Sequence, residues 1–170
     1  GSEAWAVGCR EGVVWGQTVA SRGYAVWQVN FRGSSGYGYE VEHAGDRQGG
    51  GKMQDDVTDA TKWAISTGVA DAKRICIYGA SYGAYAALEG VAKEPALYKC
   101  AAGYVGVYDL PLMFSKGDLR ELESRRNYMR DWIGEPAQLG AASPVNQAAR
   151  IKVPVFLAAG GQDERAPIEH

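Results

Sequence analysis

The chain has 170 residues, enough for one domain with a substantial core, and its 18 Lys+Arg against 20 Asp+Glu leave a formal charge of -2. That balance excludes a dedicated nucleic-acid surface, which needs a strong positive excess. No apolar stretch reaches the roughly 20 residues that span a bilayer, and the N-terminus lacks the basic-then-apolar order of a secretory leader, so no membrane association and a cytoplasmic location are the expectations; a signal upstream of Gly1 would lie outside this sequence.

Residues 1–12 are the least readable part of the chain. Val13 to Ser21 has helical spacing of apolar residues, and Gly23 to Phe31 (GYAVWQVNF) is a short apolar run bounded by charge and glycine, which predicts a strand. The glycines of NFRGSSGYGYE follow that strand but do not give G-x-G-x-x-G, and no helix opens on them. The next glycine-rich stretch, GDRQGGGKM, resembles a phosphate loop only superficially. P-loop spacing for Lys52 would need glycine where Asp46 stands and Ser or Thr where Met53 stands. Both stretches read as loops packed around a site built elsewhere.

Lys52 to Thr67 predicts a helix with Met53, Val57, Ala60 and Ala64 on one face, Gln54, Asp55, Asp56 and Asp59 mostly outside it, and Gly68 as its stop. Arg74 to Gly79 reads as a buried strand, and Tyr82 to Lys93 as a helix through Ala84, Ala87, Leu88 and Val91. Cys100 to Val107 and Val153 to Gly160 read as further strands. Between them, Asp109 to Ala149 reads as a helical excursion over the sheet edge, with a helix at Leu119 to Trp132; excursions of this kind shape substrate pockets. Strands alternating with helices imply a mostly parallel sheet with helices on both faces. Cys9, Cys76 and Cys100 are scattered, with no Cys-x-x-Cys pair, and read as reduced packing residues; no metal or cofactor is implied.

The chemistry concentrates at Gly79-Ala80-Ser81-Tyr82-Gly83. A G-x-S-x-G turn between strand and helix exposes a nucleophilic serine at the top of an α/β-hydrolase sheet, and the Tyr82 N–H then forms half of an oxyanion hole. The plainer alternative is an N-capping serine. A serine nucleophile needs a base and an orienting acid, which follow in the order Ser, Asp, His in this fold. Asp163, in AAGGQDERAP, stands just past the last apolar strand, where loops of a parallel sheet converge; Asp109, after the preceding strand, is the rival. Of the two histidines, His43 precedes the serine and His170 follows Asp163 too closely, so both are expected to be solvent-exposed and neither suits the base.

Four blocks in order, SRGYAVWQVNFRGSSGYG, MQDDVTDATKWAI, YGASYGAYAAL and GGQDERAP, resemble the catalytic domain of the prolyl oligopeptidase family, closest to its acylaminoacyl-peptidase and dipeptidyl-peptidase-like branches. The resemblance implies Ser81 as nucleophile, Tyr82 as an oxyanion amide and Asp163 as triad acid. It also implies that Arg165, otherwise a surface charge, helps position substrate or the site. It places the catalytic histidine beyond residue 170 and the His-Gly-Gly-Pro-type oxyanion segment before or around residue 1, so residues 1–170 form a partial α/β-hydrolase peptidase domain. A position near Gly50 usually carries tryptophan in this family.

The reading is a serine-type hydrolase acting on short peptides or acyl-peptides. The alternatives are a carboxylesterase of the same fold and a catalytically silent fragment or pseudoenzyme. Tyr108, Met113 and Phe114 open the excursion and are expected to contribute to an apolar pocket beside Ser81. Uncovered sheet surface favours association into homo-oligomers.

Overall fold

Alternation of β-branched runs with helical spacing leaves each strand parallel to its neighbours, because every connection is long enough to cross back over the sheet. The computed structural model describes residues 2–7 and 12–170; Cys9 lies outside the described residues. In chain order the elements are β1 (Ser2–Val7), α1 (Gly12–Ala20), β2 (Tyr24–Gln28), α2 (Tyr39–His43), α3 (Lys52–Ser66), β3 (Ile75–Ala80), α4 (Tyr82–Lys93), β4 (Cys100–Tyr104), α5 (Glu123–Trp132), α6 (Pro144–Gln147) and β5 (Val155–Ala158). The strands form one parallel sheet in the order β2-β1-β3-β4-β5. The chain moves one way from β1 to β2 and the other way from β3 to β4. Right-handed crossovers therefore put α1 and α4 on opposite faces. The reversal between β1 and β3 is the switch point at which the loops diverge and leave a crevice.

Helix α4 is buried from Gly83 through Ala92 and packs on β3, β4 and α3. A helix apolar on all sides needs such enclosure. The core centres on Ile75, Ile77, Tyr85, Val91 and Tyr98, and the Tyr98 hydroxyl meets Thr61 Oγ1 at 3.1 Å. Helix α3 ends as its sequence indicates: Gly68 adopts φ 76°, a left-handed conformation glycine takes without strain, and its N–H donates to the Ile65 carbonyl.

Four expectations are corrected here. Gln54 was placed outside the buried face of α3, yet it is 1 % exposed, and neither its amide nitrogen nor its oxygen has a partner among the described residues. The buried stripe takes in Gln54, Thr58 and Thr61 because α3 packs against α4, where Gly90 leaves room for the glutamine amide. Cys76 and Cys100, read as reduced, form a disulfide between register partners of β3 and β4 with Cα atoms 4.7 Å apart. That separation lies within disulfide range, and only the strand register brings it about. The helix expected from Leu119 begins at Glu123, because a 3₁₀ turn at Asp118–Arg120 and an extended Leu122 come first. Finally, residues 2–7, among the least readable in sequence, supply the interior strand β1 between β2 and β3.

Candidate active site

Strand β3 delivers its last residues into a turn that only small side chains permit. A Cβ on Gly79 would stand 2.1 Å from the Gly83 carbonyl carbon and oxygen, far inside van der Waals contact. The chain reverses at Ser81, which is exposed at the carboxyl end of the sheet with φ 54° and ψ −120°. A non-glycine residue at that φ is strained, and such strain collects at functional sites. The Ser81 N–H donates to the Tyr104 carbonyl at 2.9 Å, and its own carbonyl accepts the amides of Ala84 and Tyr85 at the start of α4. The Tyr82 amide is the first of that helix, where first-turn donors have no intrahelical acceptor and the dipole is positive.

Beside Ser81 lies an apolar cavity of about 220 Å³. Its walls come from the glycine-rich loop and α3 (Gly49, Met53), from α4 (Tyr82, Tyr85) and from the excursion (Val107, Leu110, Met113, Leu119, Tyr128, Met129, Trp132, Ile133), with Arg165 at its polar side. Tyr82 is the hub of an aromatic chain: its ring lies 5.7 Å from Phe31, 5.4 Å from Tyr85 and 5.8 Å from Trp132. Tyr128 stacks on Trp132 at 6.2 Å. Burial pushes the Tyr82 phenol well above its ordinary pKa, so it stays neutral.

Of the three expected pocket residues, Met113 lines the cavity. Phe114 packs against the core instead. Tyr108 does not reach the cavity either: its ring fills the space above Gly103 and Gly106, its buried hydroxyl has no partner among the described residues, and burial lifts its pKa to about 12. The aromatic pair on α5 was missed. Its signal was present, since Tyr128 and Trp132 are four residues apart and share one helical face within the charged run ESRRNYMRDW.

Asp163 follows β5 at the same sheet end, where Ala158 pairs with Tyr104 and Tyr104 with Ala80. Its Oδ1 accepts the amides of Arg165 at 2.9 Å and Ala166 at 2.8 Å. No hydrogen bond involves Oδ2 among the described residues. The rival acid, Asp109, accepts the Leu112 amide at 3.3 Å and so caps the turn that opens the excursion. Arg165 is gripped by Asp118: its Nε and Nη2 each lie 2.7 Å from a carboxylate oxygen. That contact holds the Asp118 carboxyl below the usual carboxylate range.

Neither histidine lines the cavity. His43, exposed on α2, pairs with Asp46 at 2.8 Å and packs against the Tyr39 ring. His170 departs from the expected exposure. Both its ring nitrogens are enclosed without a partner among the described residues, and burial lowers its pKa against the opposing pull of Asp109 and Glu169. The glycine-rich loop does border the site, as read. At Gly50 a Cβ would come within 3.0 Å of Ala142 Cβ and the Tyr85 hydroxyl, whereas at Gly49 it would meet nothing closer than 3.8 Å. Among the described residues no helix is long and apolar enough to cross a membrane, and no cluster of three His, Cys, Asp or Glu side chains forms a metal site.

Residues 14–170 match the sequence model of the Prolyl oligopeptidase family. The chain is 37% identical over 155 residues to Dipeptidyl aminopeptidase BIII of Pseudoxanthomonas mexicana, an alignment covering 88% of this chain and 22% of that protein. It is 32% identical over 153 residues to Dipeptidyl peptidase family member 6 of Caenorhabditis elegans, covering 86% and 21% respectively. Among solved structures, a Mycobacterium tuberculosis puromycin-hydrolyzing peptidase aligns with a TM-score of 0.83 at 28% identity, over 96% of this chain and 26% of that one. The shared fold is that of an α/β-hydrolase, and the chain spans about a fifth to a quarter of the length of these relatives.

Proposed function

The chain belongs to the prolyl oligopeptidase family, and from that premise we propose that the protein containing it is a serine-type hydrolase of short peptides, acylaminoacyl- or dipeptidyl-peptidase-like, with Ser81 as its nucleophile. The observation that carries this reading is the strained turn that lifts Ser81 to the rim of an apolar cavity whose polar side is Arg165. Ser81 Oγ attacks the scissile carbonyl while an apolar substrate side chain fills the cavity. The Tyr82 N–H receives the developing oxyanion. A histidine outside residues 1–170 takes the serine proton and returns it to the leaving amine. Asp163 orients that imidazole through Oδ2, the oxygen not engaged by the loop amides. Arg165 offers its free N–H groups to a substrate carbonyl.

The test is labelling of the full-length protein by a fluorophosphonate probe, together with turnover of an acyl-peptide anilide and a short-chain nitrophenyl ester. Labelling and anilide hydrolysis that both vanish in Ser81→Ala are expected. Ester turnover with no anilide turnover would move the substrate class to carboxylic esters. Labelling that survives in Ser81→Ala would refute the nucleophile. The chain of residues 1–170 alone should be silent, since loss of the base costs about six orders of magnitude in a well-studied serine protease.

A further inference from the structure

The excursion touches the loop carrying Asp163 and Arg165 at three successive points. Lys116 Nζ lies 3.2 Å from Glu169 Oε1. The Asp118 N–H donates to the Glu164 carbonyl at 2.8 Å, and the Asp118 carboxylate takes the Arg165 fork at two 2.7 Å bonds. Between these points sits Gly117, at φ 78°, where a Cβ would stand 2.7 Å from the Glu164 carbonyl oxygen and 3.3 Å from Pro167. The two segments approach so closely that a side chain at 117 would force them apart. Asp118 is also tied to α5, since Arg125 Nη1 donates to its carbonyl at 3.2 Å and lies 3.6 Å from its Oδ2.

We propose that Asp118 is a positioning residue of the site, one that fixes the Arg165 guanidinium so that its remaining N–H groups meet a peptide carbonyl on the acyl side of the substrate. This rests on the reading of Ser81 given above. A planar guanidinium held through Nε and Nη2 has the direction of its third edge determined. Arg165 Nη1 has no hydrogen bond to any described residue, and the side chain lines the same cavity as Ser81. Without Asp118, the arginine would have to lose its rotamer freedom at the moment of binding.

The experiment compares wild type, Asp118→Ala, Arg165→Ala and the double variant of the full-length protein on an acyl-dipeptide anilide and on nitrophenyl butyrate, which offers no second carbonyl. Immobilising a free arginine is expected to raise the anilide KM by about ten-fold or more in Asp118→Ala, with kcat changed little. The ester KM should shift much less. In the double variant, loss of Asp118 should add nothing to loss of Arg165, because one acts through the other. Asp118→Asn, which keeps the size and one acceptor, should fall between wild type and alanine and guards against a folding failure in the alanine variant. Equal losses on anilide and ester, multiplicative losses in the double variant, or an unshifted anilide KM in both Asp118 variants would each overturn the proposal. Absence of labelling and turnover in the wild type would instead overturn the reading of Ser81.

Discussion

The φ of 54° at Ser81 has a measurable cost that can be separated from the serine's chemistry. Holding a non-glycine residue in that region costs on the order of 1–3 kcal/mol. Ser81→Gly relieves the strain but adds roughly 0.5–1 kcal/mol of unfolded-chain entropy. Ser81→Ala removes the same hydroxyl while keeping a Cβ in the same strained conformation, so the difference between the two variants isolates the backbone. Taking about 2 kcal/mol of strain less about 0.7 kcal/mol of entropy, glycine should be the more stable variant by about 1 kcal/mol. For a domain of this size that corresponds to a Tm higher by roughly 2–4 °C. Scanning calorimetry of both variants provides the assay, and both should fail to label with fluorophosphonate. A Tm for Ser81→Gly equal to or below that of Ser81→Ala would refute the argument that the turn stores strain.

Gln54→Met replaces a buried amide lacking partners with an apolar side chain of similar length, and urea unfolding should show a gain of about 1 kcal/mol or more. A loss would show that the amide has a partner in solution. The Cys76–Cys100 bridge closes a loop of sequence separation 24, so Cys76→Ala should lose about 3 kcal/mol under oxidising conditions. Reductant should lower the Tm of wild type towards that of the variant and leave the variant unchanged; a wild-type Tm indifferent to reductant would rule the bridge out. Arg32 donates to Asp56 through Nε and Nη2 and holds that carboxyl below its ordinary range. The folded form therefore binds the proton more weakly than the unfolded chain, whose carboxylate titrates at about 3.9. The resulting stability is present in full above that pH and is lost as pH falls through the folded pKa. The advantage of wild type over Asp56→Asn should accordingly hold from pH 6 to about pH 4 and shrink as the pH falls further, and a gap that stays constant at lower pH would exclude the ion pair as its cause.

The turn at Ser81 was legible because sterics leave it little latitude. Gly79 and Ser81 announce a backbone contact and a left-handed residue that few sequences other than G-x-S-x-G satisfy. Helix α4 was legible for a related reason, since its alanines and apolar residues suit complete enclosure. What escaped the sequence depends on pairing at a distance. Val105, β-branched and within an apolar run, gives no local sign that it ends β4 at φ 46° with its N–H turned to the Ala158 carbonyl. The Cys76–Cys100 bond follows from the register of β3 and β4, and the place of β1 from edges that neighbouring strands leave open. The pocket was half-read because its location follows from the excursion, whereas the choice among Tyr108, Met113 and Phe114 depends on which side chain Gly103 and Gly106 admit beneath them.

The position of β1 between β2 and β3 also bears on when the site comes into being. Val7 pairs with Gly79, so the strand that delivers Ser81 is laid directly against β1. At roughly 5–20 residues per second, about 70 residues must follow β1 before β3 emerges, leaving one edge of β1 open on a nascent chain for roughly 4–15 s. An open strand edge is a template for foreign pairing. The long-range β1–β3 closure is also the kind of contact that slows folding. The turn carrying Ser81 therefore gains its support only when β3 closes against β1, so that turn is not assembled on a half-built sheet.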